Sequence, residues 1–248
     1  MPSANSGASS NQRSAKVRRT GAIVAPGAPP QVVPAIRAFA DRRDAGLRLA
    51  GLLRHRALDR AVVVAIPRGG VPVAAAVAAA LGAPLDVVVV RKVGAPRNPE
   101  LAIGAIAEGG VRVLAERTKG EPGLSAARIV KALAKAEAEL RERSIEVRGE
   151  LAPLELDGRT VIVVDDGLAT GHTALAAIQA VRRRGARRVI LAVPVAALRS
   201  VRALAAEADE IVCVEQPEHL WAVGYWYEDF RAVDAAQVEE LLDRSTGA

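Results

Sequence analysis

The stretch VIVVDDGLATGHTA, residues 161–174, constrains the fold more than any other part of the chain. Four apolar β-branched residues run into two adjacent carboxylates and then into a loop of Gly and Thr, which predicts a buried parallel strand at 161–164. Apolar residues then recur on one face over 172–184, and Gly185 follows at a position suited to a left-handed cap, so a helix is predicted there. The loop 167–173 therefore joins the carboxyl end of a strand to the amino end of a helix, where an anion is favoured.

The same alternation of strand and helix continues along the chain. Strands are predicted at 61–66, 85–90, 188–193 and 211–214, with short strand-like segments at 101–106 and 111–115. Helices are predicted at 41–56, 71–81, 124–147 and 198–206, the charged helix 124–147 being interpreted as an insertion that covers the core without a chemical role. This pattern predicts an α/β fold with a doubly wound, mostly parallel sheet, whose ligands lie beyond the carboxyl ends of the strands at a switch point.

The helix predicted at 41–56 is interpreted as purely structural. Asp41 stands where an N-cap is wanted, and this role is favoured over chemistry. Its neighbours Arg42, Arg43 and Asp44 are interpreted as a solvated face.

Charge is distributed unevenly along the 248 residues. The formal net charge is +6, and five of these positive charges come from residues 1–40, which contain no acid. A nearly neutral body with a basic tail is not a basic binding face, so nucleic-acid binding is not expected. Residues 1–33 are predicted to be a disordered basic leader because Ser, Asn, Gly, Ala and Pro bury little apolar surface, and 34–248 are predicted to form the domain.

Neither a membrane span nor a disulfide is expected. The uncharged window 69–85 is interrupted by Pro and Gly and is shorter than the ~20 apolar residues that span a bilayer. Cys213 is the only cysteine and lies in the apolar run IVCV, which predicts a buried core thiol. A cytoplasmic location is therefore expected.

Two acids, Asp165 and Asp166, stand next to each other at the end of the strand 161–164, an arrangement that is unfavourable unless a ligand stabilises it. Two carboxylates ~5 Å apart repel by about 3 kcal/mol at an effective dielectric near 20. A vicinal diol that donates hydrogen bonds, or a magnesium ion, would relieve that repulsion. The loop therefore predicts a ligand that offers phosphate and hydroxyls together, whereas the simpler alternative is that Asp165 caps the helix.

Cations follow two other predicted strands. After 61–66 come Arg68, Gly69 and Gly70, a cation beside bare backbone N–H groups, which suits a second phosphate cluster. Arg91 and Lys92 follow 85–90 and would supply a third positive contact. The simpler alternative is that Arg68 pairs with a nearby acid.

These motifs together resemble one known family. DDGLATGHT resembles the ribosyl-phosphate signature of the type I phosphoribosyltransferases, PRGG resembles their pyrophosphate loop, and RKVGAP resembles the start of the mobile loop in the adenine-specific branch. Residues 36–242 as a whole are similar to an uncharacterised bacterial branch labelled only as predicted phosphoribosyltransferases. The resemblance implies the type I phosphoribosyltransferase fold with a small hood, and 5-phosphoribosyl 1-pyrophosphate (PRPP) with Mg²⁺ as the substrate.

The resemblance also implies a role for each motif. Asp165 and Asp166 would hold the ribose hydroxyls and, through those hydroxyls or water, the Mg²⁺. The remainder of the signature would bind the 5-phosphate with Gly167, Leu168, Ala169, Thr170, Gly171, His172 and Thr173. Pyrophosphate would contact Arg68, Gly69 and Gly70, joined by Arg91 and Lys92 when the loop closes.

Five of the six aromatic residues lie within ten positions, at 221, 225, 226, 227 and 230. They form either a stacking wall for a planar ligand or a small satellite core. The segment WAVGYWYEDF resembles the base-binding segment of the hypoxanthine-guanine enzymes, which places Trp221 at the stacking position, Glu228 near the base-reading acid, and 215–232 in the base-binding hood. This resemblance favours a purine-like ring.

Two positions depart from the hypoxanthine-guanine pattern. Ala169 stands where those enzymes carry a general-base Asp, and Pro194 stands where they read the base with a Lys. The adenine branch takes its acid from the mobile loop instead, for which Glu100 and Glu108 are candidates.

The predicted function is that of a cytoplasmic phosphoribosyltransferase in nucleotide salvage. It would move 5-phosphoribosyl from Mg-PRPP to a nitrogenous acceptor and release pyrophosphate, and a homodimer is expected. The alternative from a different class is a non-catalytic regulatory protein that binds PRPP.

Overall fold

The computed structural model describes residues 38–95, 98–115, 125–149 and 151–246, without the side chains of 98–102 and 244–246. The predicted leader 1–33 lies outside the described residues. In chain order the elements are α1 (Arg42–Leu53), β1 (Val62–Ala65), α2 (Gly70–Leu81), β2 (Leu85–Val87), β3 (Val90–Ala95), β4 (Asn98–Ala107), β5 (Val111–Leu114), α3 (Ala126–Arg148), β6 (Thr160–Val164), α4 (His172–Arg183), β7 (Arg188–Val195), α5 (Leu198–Leu204), β8 (Glu210–Glu215), a 3₁₀ turn (Val223–Trp226) and α6 (Ala235–Thr246).

Five strands form the central sheet in the order β2-β1-β6-β7-β8, and every neighbouring pair is parallel. The chain winds outward from β1 to β2 in one direction and from β6 through β7 to β8 in the other. The switch point therefore lies between β1 and β6, where Ala65 pairs with Val164. This topology confirms the predicted doubly wound, mostly parallel sheet and puts the ends of β1 and β6 side by side.

Both faces of the sheet are covered, as the unbroken apolar character of β6 requires. Ile162 and Val164 pack into the core cluster that contains residues of α1 and α2, whereas Val161 and Val163 pack with α4 on the opposite face. All four side chains are fully buried, and each contributes about 1.5–3 kcal/mol of hydrophobic stabilisation relative to an exposed position. Burial on both faces holds the strand that ends in the two carboxylates.

A second sheet, β3-β4-β5, is antiparallel and separate from the first. The strand predicted at 85–90 ends at Val87, and the chain begins β3 at Val90. Arg91 and Lys92 therefore lie within an antiparallel strand, and the prediction that they follow the end of a parallel-sheet strand is wrong. An unbroken apolar run in the sequence does not show where the chain changes its partner strand, which here is the change from β1 to β4.

α3 packs on the core through one apolar face. Leu133, Ala136, Leu140 and Val147 are buried in the cluster that also contains α2 and β1 residues. A C-terminal helix, α6, was not predicted from the sequence, and its Val238 and Leu242 are buried in the same cluster. Within the described ranges no helix is both long and apolar enough to cross a membrane.

A buried carboxylate ties β2, α3 and α4 together. Asp86 is 4% exposed, and its oxygens accept hydrogen bonds from Arg148 at 2.8 Å, Arg184 at 3.1 Å and the backbone N–H of Leu154 at 3.1 Å. A buried acid with two cationic partners and a backbone donor has its hydrogen-bonding capacity well used.

Candidate active site

The Arg68–Gly69–Gly70 loop lies directly against the acid pair. The backbone N–H of Ile66 donates to the carbonyl of Val164 at 2.8 Å, which keeps the two chains together beyond the paired strands. A Cβ placed on Gly69 would lie 2.1 Å from Asp166 Oδ2, and one on Gly70 would lie 2.7 Å from the carbonyl oxygen of Val164. At Gly70 the obstacle is backbone, so only glycine allows the approach, whereas at Gly69 a Cβ would force the Asp166 carboxylate to move. The structure therefore brings together the two motifs that the sequence placed almost a hundred residues apart.

Asp165 and Asp166 form a buried acid pair. The backbone N–H of Asp166 donates to Asp165 Oδ1 at 2.9 Å. Burial, and then the charge of Asp166, raise the pKa of Asp165 well above its usual value, while the charges of Lys92 and Arg42 oppose the shift. Burial also raises the pKa of Asp166, and Arg42 opposes it. The ionised pair is therefore destabilised, and hydrogen-bond donors or a cation would stabilise it.

Arg42 is a site residue that the sequence interpretation missed. Its Nε and Nη2 each lie 3.0 Å from Asp166 Oδ2, and its Nη1 donates to the carbonyl of Arg231 at 2.9 Å. Its guanidinium carbon lies 3.9 Å from the ring centroid of Phe230. The prediction that Arg42 belongs to a solvated face is wrong, although its neighbour Asp41 caps α1 as predicted, accepting from the N–H of Asp44 at 2.8 Å.

The signature loop is hydrogen-bonded to the end of β7 and to α5. The N–H of Leu168 donates to the carbonyl of Val195 at 2.8 Å, and the hydroxyl of Ser200 donates to the carbonyl of Ala169 at 2.6 Å. Gly171 has a φ of +83°, in the left-handed region, and α4 begins at the next residue, His172. The first-turn N–H groups of a helix lack intrahelical acceptors, so this fixed loop is suited to an anion.

The cations predicted for pyrophosphate are held by acids of α3. Arg68 Nη2 lies 2.6 Å from Glu146 Oε1, and Arg91 Nη2 lies 2.8 Å from Glu139 Oε2. The alternative that Arg68 pairs with an acid therefore holds in this structure, yet its Nε is buried with no hydrogen-bond partner in the described part of the chain. Lys92 is close enough for its charge to lower the pKa of Asp165.

The aromatic segment is divided between packing and exposure. The Tyr227 ring lies 5.3 Å from the ring of Phe39 and 4.9 Å from that of Phe230, and these three form a small satellite core. The Tyr227 hydroxyl donates to the backbone carbonyl of Asp166 at 2.6 Å, and burial raises the phenol's pKa, so it stays a donor. Trp221 is 86% exposed and Glu228 is exposed. Packing therefore accounts for Tyr227 and Phe230 but not for Trp221.

The segment around the 3₁₀ turn also contacts the signature loop. A Cβ on Gly167 would lie 2.5 Å from a methyl carbon of Val223. Together with the Tyr227 hydroxyl, this contact fixes the segment predicted as the hood to the residues that follow the acid pair.

The two acids proposed as catalytic candidates differ in what the structure describes. The side chain of Glu100 lies outside the described residues. Glu108 accepts from Arg148 Nε at 3.2 Å and from the backbone N–H of Val89 at 3.2 Å. These contacts join β4 to α3, and a role for Glu108 in acid or base catalysis stays a prediction.

Cys213 lies in β8 as predicted but is only partly buried. Its thiol is 2.9 Å from the carbonyl oxygen of Glu215, and burial raises its pKa to about 12.

Comparison with known proteins agrees with this geometry. The model of the family described as "Phosphoribosyl transferase domain" matches residues 48–229. Two curated Mycobacterium tuberculosis proteins, from strains CDC 1551 and H37Rv and each named "Putative phosphoribosyl transferase", are 45% identical over 210 residues. The match covers 85% of this chain and 47% of theirs, so the chain spans about half the length of these relatives.

Two further relatives differ in how much they share. The crystal structure of the protein TT1426 from Thermus thermophilus is 43% identical with a TM-score of 0.71, and the match covers 82% of this chain and 97% of that one. A uracil phosphoribosyltransferase from Lactobacillus gasseri is 43% identical over 77 residues, which is 30% of this chain and 37% of the enzyme. The family match over most of the chain and the identity to the curated relatives confirm the predicted family: this chain belongs to the phosphoribosyl transferases.

Proposed function

We propose that this protein transfers the 5-phosphoribosyl group from Mg-PRPP to a nitrogenous acceptor and releases pyrophosphate. The observation that carries the proposal is the approach of Gly69 to Asp166, where a Cβ would lie 2.1 Å from the carboxylate. The loop suited to pyrophosphate and the pair of carboxylates suited to a diol are therefore in contact, which supports one ligand that reaches both, as PRPP would.

In this proposal each motif binds a different part of PRPP. Asp165 and Asp166 accept hydrogen bonds from the two ribose hydroxyls, which relieves the repulsion within the buried pair. The loop 167–173, fixed at Leu168 and Ala169, binds the 5-phosphate at the start of α4. The N–H groups near Gly69 and the guanidinium of Arg68, whose Nε is buried and unpaired within the described residues, receive the pyrophosphate.

Two carboxylates fit a magnesium ion that is bound mainly through its ligand. Among the described residues, no group of three or more His, Cys, Asp or Glu could hold a metal on its own. Asp165 and Asp166 would therefore hold Mg²⁺ through PRPP hydroxyls or water. When bound, Mg²⁺ supplies neutralisation of the diphosphate charge.

In the proposed reaction the bond from C1 of the ribose to the pyrophosphate oxygen breaks, and its electron pair leaves with pyrophosphate. The acceptor nitrogen forms the new bond to C1, and its proton passes to the departing pyrophosphate or to solvent. Arg68, Arg91 and Lys92 stabilise the charge that develops on the leaving group. Exclusion of water matters because water competes for the cationic ribosyl centre.

The acceptor is proposed to be a purine-like base. The exposed ring of Trp221 is free to stack on a planar ligand, whereas Tyr227 and Phe230 are occupied with packing. Ala169 provides no acid to activate the acceptor. The short match to a uracil enzyme brings pyrimidines into the test as well. A homodimer, a cytoplasmic location and a role in nucleotide salvage stay predictions.

The test is pyrophosphate release from Mg-PRPP with a panel of purines, pyrimidines and small amines. The double variant Asp165→Asn with Asp166→Asn is expected to lose PRPP binding in calorimetry and to lose turnover. Asp59→Asn, an exposed acid before β1 at the opposite edge of the sheet, is the matched control and should behave as wild type. Intact PRPP binding in the double variant would refute the site, and PRPP binding without turnover on any acceptor would favour the regulatory alternative.

A further inference from the structure

A second feature of the site is a cavity of about 850 Å³ between β3 and α3. Its volume is in the range typical of small-molecule sites. Pro67, from the loop predicted for pyrophosphate, and Thr173, from the signature segment, both line it. Six cations also line it: Arg91, Lys92, Arg128, Lys131, Lys135 and Arg143.

The cations are concentrated on the side of α3 that faces the cavity. Four of the helix's six Arg and Lys residues line the cavity at helical spacing, whereas only one of its four acids, Glu139, does so. Two of the acids that do not line it are paired: Glu137 lies 2.6 Å from Arg112, and Glu146 lies between Arg68 and Arg143. A solvated helix face has no reason to separate its charges in this way, so the segregation points to an anionic ligand.

Two acids offset part of this charge. Glu139 lies 2.8 Å from Arg91 and 3.8 Å from Lys135, and Glu146, which does not line the cavity, lies 3.1 Å from Arg143, so two carboxylates are shared among three of the six cations. A diphosphate with bound Mg²⁺ keeps little net negative charge, and Arg68 with the glycine loop is already placed to receive it. Even without Arg91 and Lys92, which the proposed function assigns to pyrophosphate, the cations of α3 outnumber the acid that lines the cavity with them.

We propose that this cavity is an additional anion subsite, which binds the phosphate groups of a polyanionic small molecule next to the phosphates of PRPP. The inference rests on the proposed function only for the identity of the two loops that adjoin the cavity. Two sources share this chemistry: an acceptor that itself carries phosphate, and a phosphorylated regulator. The carboxylates of Asp165 and Asp166 are not part of the subsite.

The experiment measures the affinity of inorganic tripolyphosphate for the full chain by calorimetry at low ionic strength, with and without saturating Mg-PRPP. The double variant Lys131→Gln with Lys135→Gln should weaken binding about tenfold, since it removes two exposed positive charges from the cavity lining. Glu139→Gln should strengthen binding severalfold, because it removes the cavity's one acid. Arg141→Gln is the matched control, an exposed cation of α3 that does not line the cavity, and its affinity should stay within about twofold of wild type.

The subsite would be overturned if the cavity substitutions left the affinity for tripolyphosphate unchanged, or if Arg141→Gln lowered it as much as they do. Loss of tripolyphosphate binding to the PRPP-loaded protein would also overturn it, because the subsite would then be the pyrophosphate site itself. If PRPP does not bind at all, the proposed function fails. The tripolyphosphate affinities of the variants measured without PRPP would still test the subsite. In the pyrophosphate-release assay a phosphorylated acceptor increases release and is consumed, whereas a phosphorylated regulator changes the rate and is recovered unchanged.

Discussion

Arg42 donates from Nε to one carboxylate oxygen of Asp166 at 3.0 Å, and its Nη2 forms an ion pair with the same oxygen at 3.0 Å. The pair joins the first turn of α1 to the end of β6, across 124 residues of sequence. The guanidinium of Arg42 also lies over the ring of Phe230, so the segment after the 3₁₀ turn packs against it as well. Asp166 thus has a cation in direct contact, whereas within the described part of the chain Asp165 has no ion pair and is stabilised by the charges of Lys92 and Arg42.

Arg42→Ala should move PRPP binding to higher pH. Arg42 opposes the rise in the pKa of Asp166, so its removal lets that pKa rise further, and the ionised form that accepts the ribose hydroxyls then appears only at higher pH. Calorimetric titration of PRPP across pH 5–9 is the measurement. Arg43→Ala, an exposed neighbour on the same turn, is the control. Identical pH profiles for Arg42→Ala and wild type would show that Arg42 does not set the charge of the pair.

Asp165→Asn should stabilise the protein at pH 7 while it abolishes PRPP binding. Burial raises the pKa of Asp165, so the folded state binds protons more tightly than the unfolded chain, and the stability of the wild type falls as pH rises from about 4 through the raised pKa. Asparagine avoids that cost and still accepts the N–H of Asp166. An increase in free energy of unfolding of about 1–2 kcal/mol, or several degrees in melting temperature, is expected.

Asp166→Asn serves as the comparison for that measurement. It leaves the buried guanidinium of Arg42 without its carboxylate, so no stabilisation is expected at pH 7. Equal melting temperatures for wild type and Asp165→Asn, at both pH 5 and pH 8, would contradict the account of the buried pair.

Gly69→Ala should stop turnover without unfolding the protein. The added Cβ would lie 2.1 Å from Asp166 Oδ2, so the carboxylate or the loop must shift, and a displacement of about 1 Å in such a site typically costs about a hundredfold in rate. Pyrophosphate release measures the effect. Gly51→Ala is the control, because a Cβ there meets nothing within 4 Å, and the substitution should add about 0.5–1 kcal/mol of helix stability. Full activity in Gly69→Ala would show that close approach of the loop is not needed.

Asp86→Asn should be among the most destabilising single changes in the protein. It leaves Arg184 without its acid and Arg148 with the carboxylate of Glu108, so we expect the lower end of the cost of breaking a buried pair, about 3 kcal/mol. Urea unfolding measures the loss. Glu137→Gln, which breaks the exposed pair with Arg112, is the control and should change stability by about 1 kcal/mol or less. A similar small change for both variants would show that the Asp86 network is dispensable.

The elements that could be predicted are those whose own sequence pattern indicates which side chains are buried. β6 and α4 form close to the predicted limits, and Gly185 has a φ of +83°, as its predicted capping role requires. The second sheet was not predictable, because the apolar run 85–90 continues unbroken across the point where the chain leaves β1 for β4.

The site was predictable in its motifs but not in its charges. DDGLATGHT and PRGG identified the residues that the structure brings together, since each motif is local. Arg42, Glu139 and Glu146 lie on helices whose periodicity shows an exposed face and gives no information on what stands opposite. Their partners are long-range contacts, which only the three-dimensional packing reveals.

In the proposed reaction, the ion pair between Arg68 and Glu146 would make pyrophosphate binding an exchange of one anion for another. In the proposed reaction the incoming diphosphate must displace a carboxylate that is 2.6 Å away, so Arg68 is never an uncompensated cation in an emptied site. The same carboxylate is available to reclaim Arg68 as the product departs, which favours release over retention. Competition from Glu146 on α3 would therefore lower the affinity for the diphosphate and speed the release of the product.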